Sequence, residues 1–145
     1  MRVLLQRVSE ASVTVDGETI AGIGFGLLVF LGVEKGDSQA EVNRLVEKTL
    51  GLRIFPDADK AMNRSVMEVD GGVLVVSQFT LAADTTRGRR PGFSPAAAPE
   101  LAEILYRSFV KRMRECWSKV SEGRFGADMQ VALTNDGPVT FLLEK

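Results

Sequence analysis

The first residues mix two registers, Val3, Leu5, Arg7 and Ser9 on one side against Leu4, Gln6 and Val8 on the other. Clean period-two alternation follows at Ala11-Ser12-Val13-Thr14-Val15, which predicts a strand with one buried face. Asp16-Gly17 is a two-residue hairpin signal, so Glu18 to Ile23 is expected to return beside it. Leu27-Leu28-Val29-Phe30-Leu31 is apolar at every position, the pattern of a central strand covered on both faces. The intervening Gly22-x-Gly24-x-Gly26 lacks the G-x-G-x-x-G spacing and leads into a strand, so it reads as a connection or bulge and not as a phosphate loop.

The period then changes. Ser38 and Glu41 form a capping box, Asp37 adds negative charge at the positive end of the helix dipole, and Val42, Leu45, Val46, Thr49 and Leu50 recur at helical spacing up to Gly51. Arg53-Ile54-Phe55 predicts a short strand. Val66 to Val69, the turn Asp70-Gly71-Gly72, and Val73 to Gln78 predict a second hairpin. Residues 82–99 hold three prolines and little periodicity, a loop length more often functional than idle. A second helix is predicted from Pro99 with Leu101, Ile104, Leu105, Ser108, Phe109 and Met113 facing inward, and Cys116 is expected to pack within it. Met129 to Leu133, the turn Asn135-Asp136-Gly137-Pro138, and Val139 to Leu143 predict a closing hairpin. With no linker, repeat or low-complexity tract, residues 1–145 read as a single α/β domain of mostly antiparallel β-sheet with two packed helices.

Composition narrows the chemistry. Apolar residues at 45% and charged residues at 26% are ordinary for a globular domain. Eighteen basic against nineteen acidic residues give a net charge of −1, which excludes a polycation that coats nucleic acid but leaves room for a local basic patch. There is no histidine, so a Ser-His-Asp or Cys-His relay and a His-containing metal site are excluded. One cysteine excludes an intrachain disulfide and a Cys-cluster zinc site. The apolar run at the start breaks too early for a signal-peptide core, and the longest, Phe25 to Val33, is half the length of a membrane helix, so a cytoplasmic protein without a membrane partner is expected.

Three segments carry candidate chemistry. In Val75-Val76-Ser77-Gln78-Phe79-Thr80-Leu81 a buried strand runs straight into polar residues, and the end of a strand is where a pocket commonly opens. In Thr85-Thr86-Arg87-Gly88-Arg89-Arg90-Pro91-Gly92-Phe93-Ser94-Pro95 three arginines fall within four positions, and the guanidinium fork suits phosphate oxygens. Asn135-Asp136-Gly137-Pro138-Val139-Thr140 places Gly-Pro at a corner.

Together these three segments, with Met1-Arg2-Val3 and Gln6-Arg7-Val8 at the start, resemble the D-aminoacyl-tRNA deacylase family over the whole chain. The resemblance implies a barrel-like or sandwich fold and a cytoplasmic homodimer with sites at the subunit interface. It implies no metal and no organic cofactor. The activity implied is hydrolysis of the ester joining a D-amino acid, or glycine, to the terminal ribose of tRNA, which keeps D-residues out of translation. Ser77, Gln78, Phe79 and Thr80 would line the pocket for the terminal adenosine and the ester. Gly137 and Pro138 would come from the partner subunit with a cis peptide bond, their carbonyls holding the substrate amino group and leaving no room for an L side chain. The aminoacyl-tRNA acceptor end, and not DNA, is the expected partner, held by Arg87, Arg89, Arg90 and Phe93.

The absence of histidine fits such a reaction. An aminoacyl ester is activated by the vicinal ribose hydroxyl, so orienting it, placing a water and stabilising the oxyanion can suffice. The backbone N–H groups of Phe79 and Thr80 are candidates for that stabilisation. Thr80 as a nucleophile is the alternative, but its hydroxyl would need a base and none lies in the motif. Two rival readings stand beside this one: an editing domain of the same architecture that removes an L-amino acid, and a non-catalytic RNA-binding module on the same scaffold.

Overall fold

A computed structural model describes Met1–Lys145. In chain order it comprises β1 (Arg2–Val15), β2 (Glu18–Ile23), β3 (Gly26–Gly32), α1 (Gln39–Gly51), β4 (Gly72–Ser77), a 3-10 turn (Phe79–Ala82), α2 (Pro99–Cys116), β5 (Val120–Glu122) and β6 (Gln130–Glu144).

The mixed register at the start of the chain resolves into one long strand whose two edges are both used. Along one edge of β1 the first half pairs antiparallel with β3 and the second half with β2. Along the other edge β6 runs antiparallel from Arg2↔Glu144 to Thr14↔Gln130. Beyond β3 the sheet continues parallel, β3 to β4 and β4 to β5, in the order β2-β1-β3-β4-β5. The result is a strongly curved, nearly closed mixed sheet with two helices.

Two apolar clusters fill it. Leu27, Val29 and Leu31 of β3 and Val73 and Val75 of β4 face a large core under α1 and α2, built around Leu45, Phe55, Tyr106 and Phe109. The alternate residues Leu28, Leu74 and Val76 face a smaller core with Val8, Ala11, Val13 and Val15 of β1. Covering on both faces is why β3 and β4 read as continuous apolar runs. β1 passes from one core to the other: Val3 and Leu5 belong to the first, Val8 onward to the second. Register shifts between Gln6, Val8 and Glu10 turn its side chains over at that point.

The capping box at Ser38 forms as the sequence predicts, with Ser38 Oγ and Glu41 each bonding the other's backbone. Several other expectations are corrected. Val66–Asp70 is a turn and β4 joins β3 in parallel, so the second hairpin is instead a crossover through α1. Residues 130–144 are one strand, not a hairpin, and the Asn135–Pro138 turn signals make a bulge within it. Arg53-Ile54-Phe55 contributes a single bridge, Phe55↔Arg64. On α2 Leu101 and Ile104 are exposed, while Tyr106 and Val110 are buried in their place. Cys116, in the last turn of α2, is exposed rather than packed. No helix is long and apolar enough to cross a membrane.

A charged cluster closes one end of the sheet. The buried Met1 ammonium lies 2.8 Å from Glu34 Oε2 and 2.7 Å from Asp37 Oδ1, and Lys145 Nζ reaches the same Asp37 oxygen at 2.8 Å. Burial pushes the Asp37 carboxyl up. Hydrogen bonds from Lys145, the ammonium and the Glu34 N–H outweigh it and hold the group below the ordinary carboxylate range.

Candidate active site

β4 supplies the site. Val73 to Val76 are buried, and Ser77, the last residue of the strand, is half-buried where the sheet ends. Gln78 N–H donates to Leu31 O at 2.8 Å, so pairing with β3 continues one residue past the strand before the chain turns. That turn packs directly on Gly32, where a Cβ would lie 2.8 Å from Leu81 Cβ and 3.0 Å from Gln78 O. Glycine at 32 is therefore what lets the 3-10 turn lie against β3.

Phe79 and Thr80 are the first two residues of the turn, whose own bonds begin with Leu81 N–H to Gln78 O at 3.2 Å. Their N–H groups thus fall among those that a helix start leaves unpaired. The Gln78 side chain does not cap them. It donates from Nε2 to Thr80 Oγ1 at 2.6 Å, so the hydroxyl faces an amide and not a base.

A cavity of about 530 Å³ opens beside this turn. That is within the size range of small-molecule clefts. Leu31 and Val33 follow from β3, Val76, Ser77, Gln78 and Phe79 from the end of β4, and Ala102 and Tyr106 from α2. Phe125 to Met129, between β5 and β6, complete the wall. Tyr106 is fixed there: its hydroxyl donates to Val75 O at 3.1 Å, and burial pushes its ionisation well up, so it stays a neutral phenol. Thr80 is exposed and lies outside the lining.

The ring of Phe79 leans over the rim onto Phe93, with centroids 5.0 Å apart and planes at 49°. Phe93 directly follows a loop closed by two backbone bonds, Asp84 N–H to Gly92 O at 2.7 Å and Gly92 N–H to Asp84 O at 2.9 Å. Asp84 also accepts from the Thr86 hydroxyl and N–H, which hold its carboxyl below the usual range. Arg87, Arg89 and Arg90 stand exposed in that loop.

Gly137 and Pro138 do not line this cavity. They lie in the β6 bulge, where Gln6 pairs with Thr140 and Val8 with Asn135, so residues 136–139 are looped out opposite Arg7. The Gly137-Pro138 peptide bond is cis, and both residues are exposed. The bulge is held from both sides. Asn135 Oδ1 accepts from Val139 N–H at 2.7 Å, and Arg7 donates to Asp136 O at 2.9 Å and to Ile54 O at 2.7 Å. At Gly137 itself a Cβ would come within 2.6 Å of Val139 N and Cγ2.

Sequence reasoning missed two contributors. Arg7 carried a weak signal, a charge in the same register as the buried Val3 and Leu5. Phe125–Met129 carried none, because a short connection without periodicity gives no hint of which cavity it covers.

Comparison with known proteins gives this geometry its relatives. A family described as D-Tyr-tRNA(Tyr) deacylase matches residues 4–144. The D-aminoacyl-tRNA deacylase of Marinomonas sp. (strain MWYL1) is 56% identical over 144 residues, 99% of this chain and 100% of that one. That of Enterobacter sp. (strain 638) is 60% identical, covering 99% of each. Among solved structures, a c-Myc DNA unwinding element binding protein superposes with a TM-score of 0.95 at 43% identity, over 100% of this chain and 99% of that one. A probable eukaryotic D-amino acid tRNA deacylase superposes at 0.83 and 20% identity, over 98% and 97%, which speaks to the fold. The two curated relatives are named as deacylases, hydrolases of an ester bond, and on the full-length match the chain belongs to the D-Tyr-tRNA(Tyr) deacylase family.

Proposed function

We propose that this chain hydrolyses the ester bond of D-aminoacyl-tRNA, and of mischarged glycyl-tRNA, releasing the free amino acid and tRNA. The observation that carries the reading is the cavity at the end of β4, with the N-terminus of a 3-10 turn at its mouth. The terminal adenosine and ester occupy it. The N–H groups of Phe79 and Thr80 point at the oxygen that gains charge, and the ribose 2′-hydroxyl beside the carbonyl assists a positioned water. Thr80 as a nucleophile is disfavoured, because its only side-chain partner is the neutral Gln78 amide.

Chiral rejection falls to Gly137 and Pro138 of a second subunit. The bulge is exposed yet braced by Arg7 and Asn135, the arrangement expected of a rigid element that enters a neighbouring site. A homodimer follows from that reading. The outer edge of β6 supports it, being 15 residues long with Leu133 and Leu142 exposed. The solved relative named for DNA binding does not shift this reading, since a net charge of −1 is poor for gripping a duplex.

The test is deacylation of D-Tyr-tRNA and L-Tyr-tRNA side by side, with wild type and Gly137→Val. Wild type should clear the D ester and spare the L ester. The variant, whose side chain collides with Val139 and so displaces the carbonyls proposed to hold the substrate amino group, should lose turnover of the D ester. Equal indifference of wild type to both esters would overturn the enzyme reading in favour of an RNA-binding module.

A further inference from the structure

Phe79 and Phe93 are large apolar side chains left 59% and 41% exposed, although each is in ring contact with the other. The proposed chemistry uses only the backbone of Phe79, so its ring is unexplained. Its placement is specific. Phe79 lines the cavity, Phe93 lies outside the lining with its ring centroid 5.0 Å from that of Phe79, and Arg90 is three residues before Phe93 in the closed loop. A strand leaving the cavity past Phe79 therefore meets a second ring, and the loop that leads into that ring carries exposed arginines. That sequence of surfaces, π-face followed by guanidinium, is the chemistry that holds single-stranded nucleic acid: bases stack on the rings and phosphates meet the charges.

We propose that the Phe79–Phe93 pair is a stacking platform for the base of the nucleotide that precedes the terminal adenosine. This rests on the deacylase reading, which puts the terminal adenosine in the cavity. One nucleotide further along, the chain has left the cavity and the next base arrives over the rim. Stacking tolerates any base, so the platform adds affinity without sequence preference. It also compensates for the weak overall charge: a protein at −1 that cannot rely on many phosphate contacts gains hold on the acceptor end through an uncharged surface.

The probes are non-hydrolysable D-tyrosyl amides of 3′-amino-3′-deoxyadenosine, alone and extended at the 5′ side by one cytidylate or by one abasic nucleotide. Binding is measured to wild type, Phe93→Leu and Phe93→Trp. Leucine keeps the apolar volume and removes the π-face. The readout is the ratio of affinities between extended and unextended probe. For wild type the cytidylate should add roughly tenfold and the abasic unit much less, as expected for one stacked base. Phe93→Leu should erase the difference between cytidylate and abasic unit, and Phe93→Trp should keep or enlarge it. A cytidylate gain that survives in Phe93→Leu, or no gain in wild type, overturns the platform. So does a Phe93→Leu loss that coincides with dissociation of the protein into monomers, because the rings would then be a subunit contact. If the unextended probe does not bind and D-Tyr-tRNA is not hydrolysed, the deacylase reading has failed instead.

Discussion

Arg7 is the residue that ties the proposed chiral bulge to the rest of its own subunit. Its side chain is 11% exposed, and its guanidinium spans two carbonyls, Ile54 O before the 56–64 loop and Asp136 O in the bulge. Methionine at this position would fill the volume and leave both carbonyls unmet, at about 1.5–3 kcal/mol for hydrogen bonds to a charged group. Arg7→Met is therefore expected to lower kcat/KM on D-Tyr-tRNA by about tenfold to a hundredfold, through a bulge no longer held in one position. Arg7→Lys should not restore it, because an ammonium lacks the fork that reaches two acceptors. Steady-state deacylation by both variants decides the point, and undiminished turnover in Arg7→Met would remove Arg7 from the site. Thr80 should behave oppositely. With only an amide beside it, Thr80→Ala is expected to stay within about tenfold of wild-type turnover, and rapid acid quench with mass spectrometry should find no acyl-Thr80 in wild type. Trapping such a species would establish covalent catalysis. The residue types at the site were legible because polar side chains at the end of an apolar strand break a pattern. Arg7 was legible only as an anomaly, since nothing in sequence distance links it to Asp136.

Among the elements, those defined by local chemistry were the readable ones. Asp16-Gly17 turns β1 into β2 with φ of 51° and 79°, and Ser38 with Glu41 starts α1. What could not be read was partner choice. Val73 to Val76 is apolar at every position, and such a run fits an antiparallel hairpin as well as a parallel crossover. The Asn135–Pro138 signals were real, but long-range pairing of β6 with β1 absorbed them as a bulge. Long-range pairing also gathers Met1, Glu34, Asp37 and Lys145 at one end of the sheet. Asp37→Asn leaves a buried ammonium without one of its two carboxylates, and about 3 kcal/mol of stability should be lost. The pH dependence has a definite sign. Because the folded Asp37 carboxyl titrates below its ordinary value of 3.8, its contribution is complete above that value and disappears as pH falls through the folded one. Thermal melts taken from neutrality into the acid range should show a gap between wild type and Asp37→Asn that is steady above 3.8 and narrows only below it. A constant gap between the two would assign the loss to packing instead.

For the molecule as a whole the open edge and the exposed bulge make the same demand. A 15-residue strand with a free outer edge is an invitation to association, and Leu133 and Leu142 add apolar surface along it at 37% and 49% exposure. The bulge with Gly137 and Pro138 belongs to the same strand but does not line the cavity of its own subunit. If a second copy brings its bulge to that cavity, each site is built from two chains, and two different defects can be separated into one dimer. Ala102→Trp would fill the cavity of its own subunit, since Ala102 is part of the wall, and leave the bulge intact. Gly137→Val would damage the bulge and leave the cavity intact. Each variant alone should be inactive as a homodimer. Co-expressed in equal amounts, half of the dimers pair one variant with the other, and two-fold symmetry gives each of those one wholly native site and one doubly defective site. Recovery of about one quarter of wild-type deacylation is the expected result. No recovery from dimers proved mixed by differential tagging would mean that cavity and bulge act within one subunit or not together at all.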